Sequence, residues 1–436
     1  MTFQKQLSDI VVGSVVDMSG VARAKVVPAS RVRTFASSGL GASPSWNVFC
    51  VDDQLAFTPN FSVVGDLRLR IDENELRHLG PGVSWAPARM CEQDGTPASS
   101  CPRTTLDALC EALGACGLEA RIGHELEFTL VSHDRSPRRP WAAYGLGAAI
   151  AHADFIRDFL TAAQRANLPV EQVHAEYGPG QMELSLAPAP PTAAADNVVL
   201  ARILVCSIAR RHGVDASFSP MPYADGSGNG AHLHFSLTRD GRPLFSGGPG
   251  PHGLTREGSA AIGGLVRFLP EALGVLANSA VSRLRLRPDT WSGAYCCWGL
   301  ENREAAVRLC AATNGNPWGA NVEVKVVDPS ANPYLSSAVV LGMALTGIRQ
   351  ELTLPPELRR NPSSLTTEAR AQAGIELLPT DPWDMLKQLE KSAVIQQILG
   401  ASVLEALVAV RHREHETYRD VEPDELTARL RFAWSI

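Results

Sequence analysis

RIGHELEFTL, Arg121 to Leu130, places Glu125 and Glu127 two residues apart inside an apolar run. Side chains alternate faces along a β-strand, so residues i and i+2 share one face. Two carboxylates side by side on a buried face repel each other and lose solvation, and both effects resist ionisation. A divalent cation removes that conflict. A strand whose polar face meets water removes it too, by hydrating each carboxylate. This stretch alone leaves cation and solvent both open.

Other strand-like stretches carry polar groups at the same spacing: His232 and His234 in AHLHF, and Glu323 and Lys325 in VEVKV. Glu176 and Glu183, in HAEYGPGQMEL, are an odd number of residues apart and would point to opposite faces of one straight strand. Gly178-Pro179-Gly180 lies between them and bends the chain, which can bring both to one site. The set Glu125, Glu127, Glu176, Glu183, His232 and Glu323 is dominated by carboxylate oxygen. It suits Mg²⁺ or Mn²⁺ better than Zn²⁺, which favours His and Cys. Six unrelated solvated residues would require independent coincidences on successive apolar strands.

A basic group accompanies the acidic one. Arg283, Arg285 and Arg287 alternate in SRLRLRP, and Arg303 and Arg308 follow in ENREAAVRL. Arginine binds carboxylate and phosphate through paired N–H groups. Carboxylates for a metal plus several arginines are the parts that phosphoryl transfer needs, although a structural ion pair is the commoner fate of any single arginine. The glycines of DGSGNGAH, residues 225–232, let a backbone approach a ligand closely. No GxxxxGK[ST] occurs, which argues against a P-loop.

The 436 residues are 45% hydrophobic and 20% charged, with a net charge of -6. That is ordinary for a globular protein and lacks the clustered Lys and Arg of a nucleic-acid surface. Nine cysteines without a CxxC pair do not make a disulfide framework, and Cys296-Cys297 reads as packing in an apolar strand. MTFQKQLSDIVVG, residues 1–13, has no secretory pattern. No apolar run reads as long enough to span a bilayer, and 335–345 reads as a buried helix. The expected compartment is the cytoplasm, with no membrane or nucleic-acid partner.

Along the chain, residues 10–16 and 21–27 predict a hairpin, 29–50 a long loop, and 54–57 and 66–71 further strands. A boundary near Cys101-Pro102-Arg103 divides 1–101 from 102–436. Helices are expected at 105–115, 150–167, 196–211 and 257–276, and over most of 383–418. Strand pieces are expected at 170–186, 231–237, 295–298, 305–309 and 321–327. The alternation points to an α/β or α+β domain with a large sheet.

In this order, GHELEF, EYGPGQMEL, GNGAHLHFSL, WGLENREAAVRL and VEVKVVDPSANPYL resemble the glutamine synthetase family, over about 11–418. The resemblance implies an α+β fold: a small N-terminal β-grasp domain and a larger catalytic domain with a curved antiparallel sheet flanked by helices. It implies a dodecamer of two hexameric rings with active sites between subunits. It assigns Glu127, Glu176 and Glu183 to one Mg²⁺ or Mn²⁺, and Glu125, His232 and Glu323 to a second on the ATP phosphates. It gives Arg285 the glutamate carboxylate, Gly228 the substrate amino acid, Arg303 and Arg308 the phosphates, and Ser236 and His234 the nucleotide side. The implied reaction is ATP-dependent phosphorylation of the glutamate γ-carboxylate, with Arg303, Glu127 and Arg285 at the chemistry, followed by displacement of phosphate by a nitrogen nucleophile.

The departures are informative. Ammonium-using members carry a Glu on a flap, and a gap-free alignment from Arg285-Leu286-Arg287-Pro288 puts Trp291 at that position. Those members also have an Asp in an FDGSS-like N-terminal context; here the match is Phe35-Ala36-Ser37-Ser38, and no acid occurs in 29–51. A bare cation leaving water needs such partners, whereas a large ring suits an amine bearing an apolar group. The expectation is a γ-glutamyl ligase for L-glutamate and an organic amine, with alkyl- and arylamines leading. Trp46 is weighed for the same pocket, with ordinary packing preferred. Lys325 stands where the family usually has Arg, and Ser227 where an Asn usually binds glutamate. The segment before Leu354-Pro355-Pro356 lacks the Tyr that some bacterial members adenylylate, so no such control is expected. An ammonium-using glutamine synthetase, rescued by Asp289 or Asp52, is the alternative; a non-catalytic structural or regulatory relative is a third reading.

Overall fold

Alternating apolar residues make two sheets, and their bulges and crossings bring the site together. The computed structural model describes residues 8–132, 141–277 and 279–435; the leader reading therefore lies, for residues 1–7, outside the described residues. The first sheet comprises β1 (Ile10–Val16), β2 (Ala22–Pro28), β3 (Leu40–Ala42), β4 (Leu67–Ile71), β5 (Arg77–Gly80) and β6 (Val83–Cys91). Its order is β2-β1-β6-β4-β3, with β5 on β6. Val11, Val15, Phe35, Leu69 and Met90 fill its core. The expected loop over 29–50 is instead partly helical: Val32–Ser37 forms a turn and a half of helix around Phe35, which is fully buried. One anchored aromatic overrides the loop-like composition. The expected strand at 54–57 is also absent, and only Leu55 bridges to Phe49.

The second sheet comprises β7 (Leu118–Ser132), β8 (Val170–Ala175), β9 (Gln181–Ala189), β10 (Val214–Ser217), β11 (Ala231–Arg239), β12 (Arg242–Pro243), β13 (Tyr295–Leu300), β14 (Ala305–Cys310), β15 (Asn321–Val324) and β16 (Glu376–Leu377). The order is β16-β13-β14-β15-β11-β7-β9-β8, with β10 on β7 and β12 on β11. It is antiparallel except for β13 and β14, which run parallel. Register shifts in the β7–β9, β8–β9 and β13–β14 pairings bend it.

Helices Pro102–Ala115, Pro191–Arg211, Arg256–Leu276 and Pro333–Arg349 supply much of the core behind the sheet. Pro191–Arg211 and Arg256–Leu276 are long and apolar enough to cross a membrane by length and composition, which corrects the reading that no run reaches that length. Their apolar windows are 78% and 72% buried within the protein, and a helix apolar on most faces is what a core position requires. The expected helix over 150–167 is two, Leu146–Ala151 and Ala153–Arg165. No cysteine is joined in a disulfide among the described residues, and burial pushes the Cys296 and Cys297 thiols up to about 12.

The first sheet is fastened to the rest by buried polar contacts. Asn332 caps helix Pro333–Arg349 and donates to the carbonyls of Val16 and Asp17 at 3.0 and 3.1 Å. The Trp434 indole donates to the Ser19 carbonyl at 2.9 Å.

Candidate active site

Strand register lines the acidic residues up in a row across the sheet. On β7 and β11, Glu125 stands opposite His232. On β7 and β9, Glu127 stands opposite Glu183, and β8 continues the row with His174 opposite Glu183. On the other side, β15 places Glu323 opposite His234, and β14 places Arg308 opposite Glu323. Glu176 follows β8, and the Gly178-Pro179-Gly180 bend returns the chain so that the Glu176 N–H meets the Gln181 carbonyl at 2.8 Å. The bend does what its sequence suggested.

Three sets of side chains each bring ligand atoms within 4.8 Å of one another: Glu125, His232 and Glu323; Glu127, Glu183 and His232; and His174, Glu176 and Glu183. The first is the set expected at the phosphates. Among the described residues, Glu183 is shared by the sets that hold Glu127 and Glu176, and His174 sits with Glu176 at the outer end. His232 Nδ1 lies 3.5 Å from Glu125 and 3.6 Å from Glu323, and His234 Nε2 lies 3.4 Å from Glu125.

The electrostatics fit a cation. Burial, then the charges of Glu125, Glu127 and Glu176, push the Glu183 carboxyl up to about 9. Burial opposes ionisation of Glu125, but His232 and His234 outweigh it and hold the carboxyl well below its usual range. Burial likewise opposes Glu323, and Lys325, His234 and His232 more than compensate. His232 Nδ1 and His234 Nε2 are buried without a hydrogen-bond partner among the described residues. Crowded carboxylates with orphaned imidazole nitrogens are a donor set that could hold a divalent cation.

The row opens into a cavity of about 780 Å³ whose lining includes Ser227, Gly228, Arg285, Trp291, Arg303 and Lys325. Arg285 is buried; its guanidinium donates to the carbonyls of Val326 and Lys325, each at 3.1 Å. Its SRLRLRP segment is a short helix, Ser282–Arg285, rather than an alternating strand, and Arg283 faces a different cavity. Gly228 must be small: a Cβ there would lie 2.7 Å from Arg285 Cγ. Arg308 donates to Glu323 at 3.1 Å and also pairs with Glu301, while Arg303 is exposed at the cavity. Lys325 Nζ donates to Glu323 at 2.8 Å. Ser236 and His234 line an adjoining cavity of about 320 Å³ that shares Glu125 and includes Trp318.

Trp291 stands at the first cavity, 46% exposed, with its ring 5.8 Å from Tyr177 in an edge-to-face pair. Trp46 packs with the first sheet's core and under Lys25 instead, the packing that was preferred. Asp289 lines the cavity, whereas Asp52 bonds Gln54.

Several site residues escaped the sequence reading. Gln181 donates to Glu127 and to the Gly228 carbonyl, each at 2.9 Å, tying the acidic strand to the glycine loop. Tyr144 stacks on His174 at 6.1 Å. His174 lies two residues before Glu176, the same i, i+2 signal that singled out Glu125 and Glu127. Gln181 and Tyr144 gave no comparable signal.

Residues 99–428 match the family described as glutamine synthetase, catalytic domain. The chain belongs to the glutamine synthetase family. It is 36% identical to the gamma-glutamylpolyamine synthetase GlnA3 of Streptomyces coelicolor, over 97% of this chain and 93% of that one. A solved structure described as a novel glutamine synthase homolog superposes with a TM-score of 0.88 at 30% identity, covering 99% of both chains. The ADP complex of GmaS superposes with a TM-score of 0.83 at 26% identity, covering 96% of this chain and 95% of that one. The fold is thus the glutamine synthetase one, and the protein is an ATP-dependent ligase. Enzymes of this family use ATP and divalent metals, act on small molecules and are oligomeric.

Proposed function

We propose that this protein joins the γ-carboxylate of L-glutamate to an organic amine, with ATP giving γ-glutamyl phosphate first and the amine then displacing phosphate. The observation that carries this reading is Trp291 at the cavity mouth, paired with Tyr177 where ammonium-using relatives place a carboxylate. An indole and a phenol bury the apolar part of an amine and attract its cationic form. Alkyl- and arylamines fit that chemistry best.

Arg285 and Gly228 would hold the glutamate, with Ser227 and Lys325 beside them. Arg303 and Arg308 would face the phosphates, and Ser236 and His234 the nucleotide. Glu127, Glu176 and Glu183 would hold one divalent cation, and Glu125, His232 and Glu323 another. Such cations, when bound, spread the charge of the transferred phosphoryl group. Gln181 fixes the Glu127 carboxylate, and Lys325 and Arg308 hold the two oxygens of Glu323. We further infer a division at 101/102, a cytoplasmic setting and a dodecamer of two hexameric rings.

A polyamine acceptor is a second reading, favoured by the name of the S. coelicolor relative and by Asp289 on the cavity wall. The test is phosphate release from ATP with glutamate plus one acceptor at a time: ammonium, methylamine, isopropylamine, ethanolamine, aniline, putrescine or spermidine, with products identified by mass. An alkyl- or arylamine should beat ammonium by a wide margin. A win for putrescine or spermidine moves the assignment to polyamines, and a win for ammonium overturns it in favour of a glutamine synthetase.

A further inference from the structure

The loop that carries Trp291 is held in an unusual shape. Asp289 and Trp291 both have left-handed backbones, with φ of 58° and 55°. Residues with a side chain rarely adopt that region, and two in three positions persist only when surrounding contacts over-determine them. Part of the constraint is local: Ser292 Oγ donates to the Arg287 carbonyl at 2.8 Å and accepts from the Arg287 N–H at 3.1 Å. That closes the base of the loop but not its tip.

Glu304 closes the tip. It starts from the turn between β13 and β14, is 6% exposed, and sends its carboxylate under the loop. Oε1 accepts from the Trp291 N–H at 2.9 Å, and Oε2 accepts from the Asp289 N–H at 3.2 Å. These are the amides of the two left-handed residues. Glu304 is itself seated by Asn302, whose Oδ1 accepts from the Glu304 N–H at 3.1 Å. From outside, Asn361 donates to Asp289 Oδ1 at 2.9 Å.

We propose that Glu304 is a positioning residue for acceptor specificity: its carboxylate fastens both tip amides and so holds the Trp291 indole against Tyr177 across the cavity mouth. The inference rests on the acceptor reading of that mouth given above. Charge-assisted bonds to main-chain N–H groups are stronger than neutral ones, and a carboxylate alone offers both oxygens as acceptors in this geometry. The amide of a glutamine offers one acceptor and would turn an N–H₂ toward a second N–H. Glu304 therefore acts through Trp291 and does not itself touch the amine.

The experiment compares wild type with Glu304→Gln, Glu304→Ala, Trp291→Ala and the double variant Glu304→Gln/Trp291→Ala. It reads KM and kcat for the preferred acceptor, glutamate and ATP, and hydrogen exchange over residues 287–293. Glu304→Gln should raise the acceptor KM about tenfold, leave the KM for glutamate and ATP within about twofold, and speed exchange at the tip amides. In the Trp291→Ala background the same change should add little, because its effect passes through the indole. An unchanged acceptor KM, an equal effect in both backgrounds, or unaltered exchange overturns the proposal. If Glu304→Ala does not fold, the nearly isosteric Glu304→Gln carries the test. If wild type prefers ammonium, the organic-amine reading fails by itself, and coupling measured with ammonium together with exchange still decides the role of Glu304.

Discussion

The two ends of the main cavity are built on different principles. At the inner end, Glu125, Glu127, Glu183, His232 and Glu323 project from paired strands, and register sets their separation. These groups are buried or half-buried and mutually dependent, and Glu323 is bonded by both Lys325 and Arg308. At the outer end, Trp291 and Tyr177 stand 46% and 60% exposed on loops. Their contact is one ring pair, and the Trp291 backbone is held by Glu304. A rigid sheet fixes distances between groups that must act together, and a fastened loop can change its occupant without disturbing them. The inner end therefore suits chemistry common to a family, and the outer end is where the proposed choice among acceptors would be made.

Changes at the inner end should be severe, and the largest tests whether it acts as a unit. Glu323→Gln should cut ATP turnover by about a thousandfold, roughly 4 kcal/mol. It should also destabilise the fold, because Lys325 and Arg308 lose a buried partner worth about 3–5 kcal/mol when removed. Phosphate release and thermal unfolding measure both; near-normal turnover would end the comparison.

Metal removal comes next. Chelation should lower the melting temperature, and saturating Mg²⁺ or Mn²⁺ should restore about 2.7 kcal/mol per site at a hundred times Kd. Glu323→Gln should lose the increment of its own site, whereas Trp291→Glu should keep both. An equal loss in both would show that the two ends are not separable.

The outer end is probed by Trp291→Glu. The ratio of organic amine to ammonium turnover should fall by about tenfold, near 1.4 kcal/mol, with KM for ATP and glutamate unmoved. No shift in that ratio removes Trp291 from acceptor choice.

A separate, pH-dependent effect concerns His124, on the opposite face of β7 from Glu125. Burial, with His234 and Arg202 nearby, pushes its imidazole from 6.5 down to about 3. The unfolded chain thus binds a proton over that window that the folded protein refuses. The contribution is complete above pH 6.5 and is lost as pH falls toward 3, with a slope of at most about 1.4 kcal/mol per pH unit. Urea midpoints measured across that range should be less pH-dependent in His124→Gln than in wild type.

The sequence disclosed the inner end far better than the outer. Glu125 and Glu127, His232 and His234, and Glu323 and Lys325 are strand pairs whose period of two survives translation into a sheet. His174 carried the same signal before Glu176. Glu304 did not: it sits inside the quoted ENREAAVRL, yet its partners are two backbone amides on another loop, and backbone amides leave no trace in a sequence. The Ser- and Gly-rich composition of 29–50 reads as loop and hides the buried ring of Phe35, which anchors a short helix to the core. The length of Pro191–Arg211 was missed because Asp196, Asn197 and Arg202 interrupt the apolar pattern, and all three are buried.

By itself, the sequence determined which side chains share a strand face and the order of the motifs, and the resemblance those motifs carry implied the α+β fold. A shared strand face follows from local alternation, which is a property of the covalent chain. Only the tertiary structure decided which strands are neighbours, which Glu stands opposite which His, and that a carboxylate from one turn fastens the loop of another. Those are long-range contacts, fixed by how the core packs rather than by any neighbouring residue.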